Sequence, residues 1–228
     1  MTKVLISASG DSDDQLALSL PKGAPRFDRE SYFISDANEA AWRCAKAWWA
    51  SNEPALAICG PSGSGKTHLL HIVATAIDGV VAKTTFWPEN ETLPACIAFD
   101  DLPTGDPKRF LAHLEDLTSA GVRLILAGNG PPAEWAEGLK GLRTRVEAMP
   151  RATLQEPDEA LMRTVIAKSF RDRQVAVDQR VVDYAAPRLS RTFAAAQAFV
   201  TLADELALKK KQKITTTLAQ KIINDLSV

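Results

Sequence analysis

Eight residues constrain this chain more than any others. Gly60-Pro61-Ser62-Gly63-Ser64-Gly65-Lys66-Thr67 satisfies the pattern G-x-x-x-x-G-K-[ST] in full. The apolar run Ala55–Cys59 leads into it as a predicted strand, and Thr67–Ile77 leads out as a predicted helix. Glycines let such a loop curl so that backbone N–H groups point inward, and the helix N-terminus adds positive potential. The pattern predicts a site for ADP or ATP. Lys66 would reach the β- and γ-phosphates, and the Thr67 hydroxyl would ligate Mg²⁺. His68 follows directly and is counted with the nucleotide-site residues. With His71 it forms a one-turn pair lacking a third ligand, so the pair is read as ordinary helix residues rather than a metal site.

A loop of this kind needs a folded scaffold, and the composition supplies one. The 228 residues are 46% hydrophobic, which excludes a disordered chain. No window approaches the roughly 18–20 uninterrupted apolar residues of a membrane helix. The opening stretch MTKVLISASGDSDD turns acidic where an export signal needs its apolar run. Cys44, Cys59 and Cys96 lack metal-ligand spacing and read as buried, reduced thiols, so a cytoplasmic location is expected. The 27 basic and 28 acidic residues leave a net charge of −1. That balance gives no support for nucleic acid as the primary ligand and predicts no direct sequence-specific DNA binding.

Three regions follow one another along the chain. Residues 1–24 are a polar tail interrupted by Gln15-Leu16-Ala17-Leu18-Ser19-Leu20 and closed by Pro21, Gly23 and Pro25. Ordered structure is expected from about Phe27. Residues 25–154 alternate predicted strands (Ala55–Cys59, Val80–Thr85, Cys96–Phe99, Val122–Ala127) with helices, among them Glu39–Trp49. That texture indicates an α/β domain with a parallel sheet covered on both faces. Residues 155–228 are helix only. Pro157 is expected in the first turn of a helix beside Asp158 and Glu159, Phe193 to Ala207 recur at helical spacing, and Thr215 caps a last helix bearing Leu218, Ile222 and Leu226. The fold class expected is therefore an AAA+ P-loop NTPase with a small C-terminal all-helical lid.

Five further positions complete the expected site. Ile97-Ala98-Phe99-Asp100-Asp101 looks like a Walker B strand, with Asp100 holding the Mg²⁺ water shell. Asp101 occupies the place where many AAA+ proteins carry the Glu that polarises attacking water. Its carboxylate sits about one methylene back, so slow intrinsic hydrolysis is expected. Asn129, ending Leu124–Asn129, matches the sensor 1 position beside the γ-phosphate. Arg145, in Leu142-Arg143-Thr144-Arg145-Val146, is the candidate arginine finger acting on a neighbouring molecule, with Arg143 two residues away as the alternative. Arg191, opening the helix Thr192–Leu208, fits sensor 2. A solvated surface arginine is the bland reading of both Arg145 and Arg191.

Together these residues resemble one family. Phe27-Asp28 with Asn38, the loop ending Gly-Lys-Thr-His-Leu-Leu-His, the Asp-Asp pair, Arg191 in Leu-Ser-Arg-Thr-Phe and the late Lys213-Ile214-Thr215 are similar to the AAA+ module of the bacterial replication initiator DnaA. The resemblance covers about residues 25–228. Two departures set this chain apart. No helix-turn-helix domain is expected after the lid, and about ten residues between Thr85 and Cys96 leave little room for the helices with which the initiator grips DNA. Gln15, Leu16, Leu18 and Leu20 are similar instead to the QLxLxL peptides that dock in the cleft of the DNA polymerase sliding clamp (β subunit). A strand on a sheet edge is the alternative for that segment. A DnaA-like module with a clamp peptide is similar to the Hda family, the regulatory inactivators of DnaA. The resemblance implies negative regulation of chromosomal replication initiation: an ADP- or ATP-loaded adaptor, docked on the clamp, whose finger stimulates hydrolysis of DnaA-bound ATP. Partners would be the clamp, DnaA and a further copy of the chain in a homo-oligomer, with no membrane. Two rivals stay open, a DnaC-like helicase loader or other replication ATPase spending its own ATP, and an initiator paralogue assembling on DNA.

Overall fold

A computed structural model describes residues 27–82, 92–101, 106–135 and 140–226. The expected clamp peptide, Gln15 to Leu20, lies outside the described residues, as does the stretch of the expected strand Val80–Thr85 beyond Ala82.

Five strands form one parallel sheet: β1 (Ala55–Gly60), β2 (Val80–Ala82), β3 (Cys96–Asp100), β4 (Arg123–Asn129) and β5 (Arg151–Thr153). Their spatial order is β2-β3-β4-β1-β5. The central strands are apolar on both faces because helices cover both. All six residues of β1 are buried. Successive side chains point to opposite sides. Thus Leu56, Ile58, Ala98 and Ile125 enter one cluster with α1 (Glu39–Trp49) and α2 (Lys66–Ala76). Ala57, Ile97, Leu124 and Leu126 enter a second, with α3 (Pro107–Ser119) and α4 (Lys140–Glu147). The register pairs Gly60 with Asn129 and Asp100 with Ala127, so the carboxyl ends of β1, β3 and β4 finish at one edge of the sheet.

The last third builds its own core. Helices α5 (Glu159–Asp172), α6 (Gln179–Ala185), α7 (Phe193–Lys210) and α8 (Thr216–Leu226) bury Phe170 and Phe199 edge-to-face, with centroids 6.1 Å apart. Side-chain caps set where these helices start. Thr192 Oγ1 accepts from Ala195 N–H, Asp178 from Arg180 N–H, and Thr215 Oγ1 from Leu218 N–H as its expected cap role requires. One start differs from expectation. Pro157 is not in the first turn of α5, because Asp158 is the N-cap, with its carboxylate accepting from Leu161 N–H at 2.7 Å. A carboxylate that can satisfy an orphan amide fixes the boundary more strongly than a residue with no N–H to satisfy.

None of the expected strands covers β5. It is three residues long with Arg151 and Thr153 exposed, so no apolar run announces it. It forms because Ala57 N–H donates to Pro150 O and Leu154 N–H to Cys59 O, which extends the ladder along β1.

Asp158 also joins regions that are remote in sequence. Its other oxygen accepts from Ala37 N–H at 3.3 Å, and Gln155 N–H donates to Ala37 O at 3.0 Å. Partial burial pushes the Asp158 carboxyl up, but hydrogen bonds from Leu161, Ser35, Ala37 and Ala160 outweigh it and hold the pKa below the ordinary carboxylate value. A carboxylate with a depressed folded-state pKa stabilises the fold above its unfolded pKa, and that contribution is lost as pH falls through the lower folded value. Asp158→Ala should lower stability near neutral pH by about 0.5–2 kcal/mol, as loss of an N-cap does. In denaturant titrations the gap between wild type and variant should close as the pH is lowered below about 3.9. A gap independent of pH would remove the carboxylate from this role.

Candidate nucleotide-binding site

Between β1 and α2 the backbone adopts left-handed angles at Gly63 (φ 75°) and Gly65 (φ 93°), which only glycine takes at little cost. The two positions also lack space. A Cβ on Gly63 would lie 2.7 Å from Thr192 Cβ, and one on Gly65 would lie 2.8 Å from the Phe193 ring. The lid helix α7 thus seats its first residues on the loop, with Phe193 N–H 3.4 Å from Gly63 O.

The charged groups converge at the sheet edge. Lys66 is almost fully buried, and its ammonium donates to Gly60 O at 3.1 Å, Pro61 O at 2.8 Å and Asn129 Oδ1 at 2.8 Å. Burial pushes its pKa below the usual lysine range, opposed by the charges of Asp101 and then Asp100. Thr67 Oγ1 donates to Asp100 Oδ2 at 2.8 Å. Six of the expected residues, Gly60, Pro61, Lys66, Thr67, Asp100 and Asn129, are therefore brought together in two hydrogen-bonded sets joined at the adjacent Lys66 and Thr67. Pro61 and Ser62 form the exposed rim. Ser64 Oγ is buried and has no hydrogen-bond partner. An orphaned hydroxyl inside a glycine-framed loop, beside a desolvated ammonium, fits a ligand bearing anionic oxygens. The Thr67–Asp100 pair is the hard oxygen set that a Mg²⁺ ion takes in partnership with phosphates. Lys66 and the loop amides would hold the phosphate groups of an adenine nucleotide there.

Other expected residues fall nearby in different ways. Asp101 is exposed and has φ 67°, a left-handed backbone that costs an L-residue energy and recurs at functional sites. Arg191 is exposed immediately before Thr192 and Phe193, the residues seated on the loop. His68 turns away from the phosphate loop toward the entering chain, bonding Asp28 O through Nε2 at 2.9 Å and meeting Phe27 and Tyr32 edge-on. Desolvation lowers its pKa, ahead of the opposing Asp28 hydrogen bond and charge. His71 stacks on Phe27 with centroids 4.5 Å apart. Asn38 is buried and ties the same segment, accepting from Ser35 N–H and donating to Phe33 O. Among the described residues there is no group of three or more His, Cys, Asp and Glu that could hold a metal ion.

Arg145 does not join this constellation. It sits on α4, whose Leu142 and Val146 pack on the sheet face opposite α2, with its guanidinium part exposed. Sequence reasoning missed Thr192 and Phe193 as residues of the site. The only signal was the cap pattern Ser-Arg-Thr-Phe, which marks a helix start but not what that start touches.

This geometry has relatives. No protein-family model matches the chain. Chromosomal replication initiator protein DnaA of Tropheryma whipplei is 23% identical, the match covering 89% of this chain and 49% of the initiator. The chain therefore spans about half the length of the curated relatives it matches. Domain III of the Thermotoga maritima replication initiation protein DnaA superposes with a TM-score of 0.76 at 16% identity, over 89% of this chain and 97% of that one. The Thermotoga maritima RuvB Holliday junction branch migration motor gives 0.66 at 17% identity, over 85% and 70%. A replication initiator DnaA bound to AMPPCP and single-stranded DNA gives 0.63 at 16% identity, over 82% and 69%.

The chain has the AAA+ P-loop NTPase fold. Among its described residues no helix is long and apolar enough to cross a membrane.

Lys66→Ala removes charge-assisted bonds worth roughly 1.5–3 kcal/mol each, so ADP and ATP should bind at least about tenfold more weakly. Isothermal calorimetry reads this directly. Unchanged affinity for both nucleotides would withdraw the assignment of the loop.

Proposed function

We propose that this chain is a nucleotide-loaded AAA+ adaptor of the Hda type. It docks on the DNA polymerase sliding clamp and stimulates hydrolysis of ATP bound to DnaA, restraining chromosomal replication initiation. The observation that carries the reading is a separation of groups. Lys66, Thr67, Asp100 and Asn129 converge on one site, while Arg145 is presented on α4, across the sheet from α2. An arginine outside its own pocket is suited to a neighbour's γ-phosphate.

ADP or ATP with Mg²⁺ would supply the charge that draws loop, lid and sheet edge together. The chain's own residues do the rest. Lys66 and the loop amides bind phosphate oxygens, Asn129 orients Lys66, and Arg191 would reach the nucleotide from the lid. Arg145 would place guanidinium N–H groups against the oxygens on which charge builds in the partner's transition state. Asp101, exposed and one methylene short of a Glu, favours slow turnover by this chain itself. The similarity to replication initiators supports the pathway, and Gln15, Leu16, Leu18 and Leu20 support the clamp as tether.

Two experiments test the reading. DnaA-ATP hydrolysis should rise when this protein and DNA-loaded clamp are added together. Arg145→Ala should bind ADP and clamp normally yet lose most of an effect that arginine fingers set at about 10³–10⁵ in rate. Equal stimulation by Arg145→Ala and wild type would reject Arg145, and steady turnover without DnaA at about 1 s⁻¹ or more would favour a helicase loader. Separately, Gln15→Ala with Leu16→Ala should abolish co-elution with the clamp without lowering the melting temperature. Retained co-elution means the tail is not the docking element.

A further inference from the structure

Arg145 is anchored to a different helix. Its Nη2 donates to Thr118 Oγ1 at 2.9 Å, and its Nη1 lies 3.7 Å from Glu115 Oε1. Both partners belong to α3, which packs against α4 through Phe110, Leu114, Leu142 and Val146 in one buried cluster. The Thr118 hydroxyl hydrogen is already committed, donating to Leu114 O at 2.6 Å one turn back in its own helix. What Thr118 offers Arg145 is therefore an oxygen lone pair in a fixed direction.

We propose that Thr118 is a positioning residue that preorganises Arg145 for a phosphate on a partner molecule. The inference rests on the reading of Arg145 as the trans-acting arginine. An arginine side chain has many accessible rotamers, and a guanidinium fixed before encounter does not lose that freedom in the transition state. A neutral hydroxyl suits this task. It accepts one of the five guanidinium N–H groups and leaves the positive charge in place, so most of the fork stays available for oxygen ligands. Glu115 does not compete strongly. At 3.7 Å it is beyond hydrogen-bonding distance, and its side chain is 56% exposed, so solvent screens the pair.

Arg143 provides the contrast. It lies two residues earlier on α4, and its Nε donates to the Glu147 carboxylate at 3.0 Å within the same helix. Its charge is matched by a carboxylate in direct contact, and that bond stays within one exposed helical turn. Of the two arginines, Arg145 is the one whose direction is set by the packing of α3 on α4.

The test is stimulated DnaA-ATP hydrolysis with DNA-loaded clamp, titrating this protein to separate the maximal rate from the half-saturating concentration. Thr118→Val keeps the branched shape and removes the acceptor. Its maximal rate should fall about tenfold, equivalent to roughly 1.4 kcal/mol of transition-state stabilisation, while half-saturation and ADP affinity stay within about twofold. Thr118→Ser should recover most of the rate. If Thr118→Val does not fold, Thr118→Ala carries the same expectation. Adding Thr118→Val to Arg145→Lys should cost nothing further, because residues acting through one contact are not additive. Full stimulation by folded Thr118→Val, with Arg145→Ala inactive, overturns the positioning role and leaves the finger standing. Full stimulation by Arg145→Ala overturns both. A rise in rate for Glu115→Gln with no loss in Thr118→Val would mean that α3 restrains Arg145, and also overturns the proposal.

Discussion

The ammonium of Lys66 is the group around which the sheet edge is arranged. It enters from the first turn of α2, and its three acceptors come from Gly60, Pro61 and Asn129, so one side chain ties β1, the loop and β4. A buried cation is tolerable only where oxygens replace its water, and here two of the three are backbone carbonyls that the loop turns inward. Thr67 adds β3 through Asp100. The order β2-β3-β4-β1-β5 makes this possible, since β1 lies between β4 and β5 while the chain leaving β1 crosses to the far side of the sheet through α2. Connections diverge there, and the crevice they leave at the carboxyl ends of the strands is where α/β folds place their ligands.

What the sequence discloses and what it conceals follow from how far apart the interacting residues lie. The loop, its strand and its helix are contiguous, so pattern alone places Gly60 to Thr67 and even the Asp100 partner at the end of an apolar run. β4 occurs at Arg123–Asn129: it ends on Asn129, as the strand-like Leu124–Asn129 predicts, and reaches past the apolar run Val122–Ala127 because Gly60 of the neighbouring strand pairs with Asn129. β5 has no apolar pattern of its own and exists through the backbone of β1. The seating of Thr192 and Phe193 on Gly63 and Gly65, and of Arg145 on Thr118, join segments 27 to about 130 residues apart. Composition and periodicity carry no trace of such pairings.

Two segments other than the loop also converge on it, and they are linked to each other. The entering chain holds His68 and His71 on α2 through Asp28 and Phe27, and its Ala37 is bonded to Gln155 and Asp158 at the start of the lid. The lid returns to the loop through Phe193. The P-loop is thus ringed by a closed circuit: entering chain, α2, loop, α7, lid core, α5, entering chain. Contacts link the loop to the entering chain both through α2 and through the lid.

That circuit runs through the α1–α2 side of the sheet, whereas Arg145 and its α3 anchor belong to the other side. Strands of the sheet lie between the two and contribute to both. Ile97, Leu124 and Leu126 point to the α3 side while Ala98, Ile125 and Ala127 on the same strands point to the α2 side. A close-packed interior transmits strain, but energetic coupling between two sites needs an element with two arrangements, and the strands between these sites are held in a five-stranded parallel ladder. The arrangement favours an arginine whose direction is set independently of what the loop holds. On the proposed function, nucleotide in this chain would govern the shape of the circuit and the lid, and the contribution of Arg145 to a partner would be built into the packing of α3 against α4.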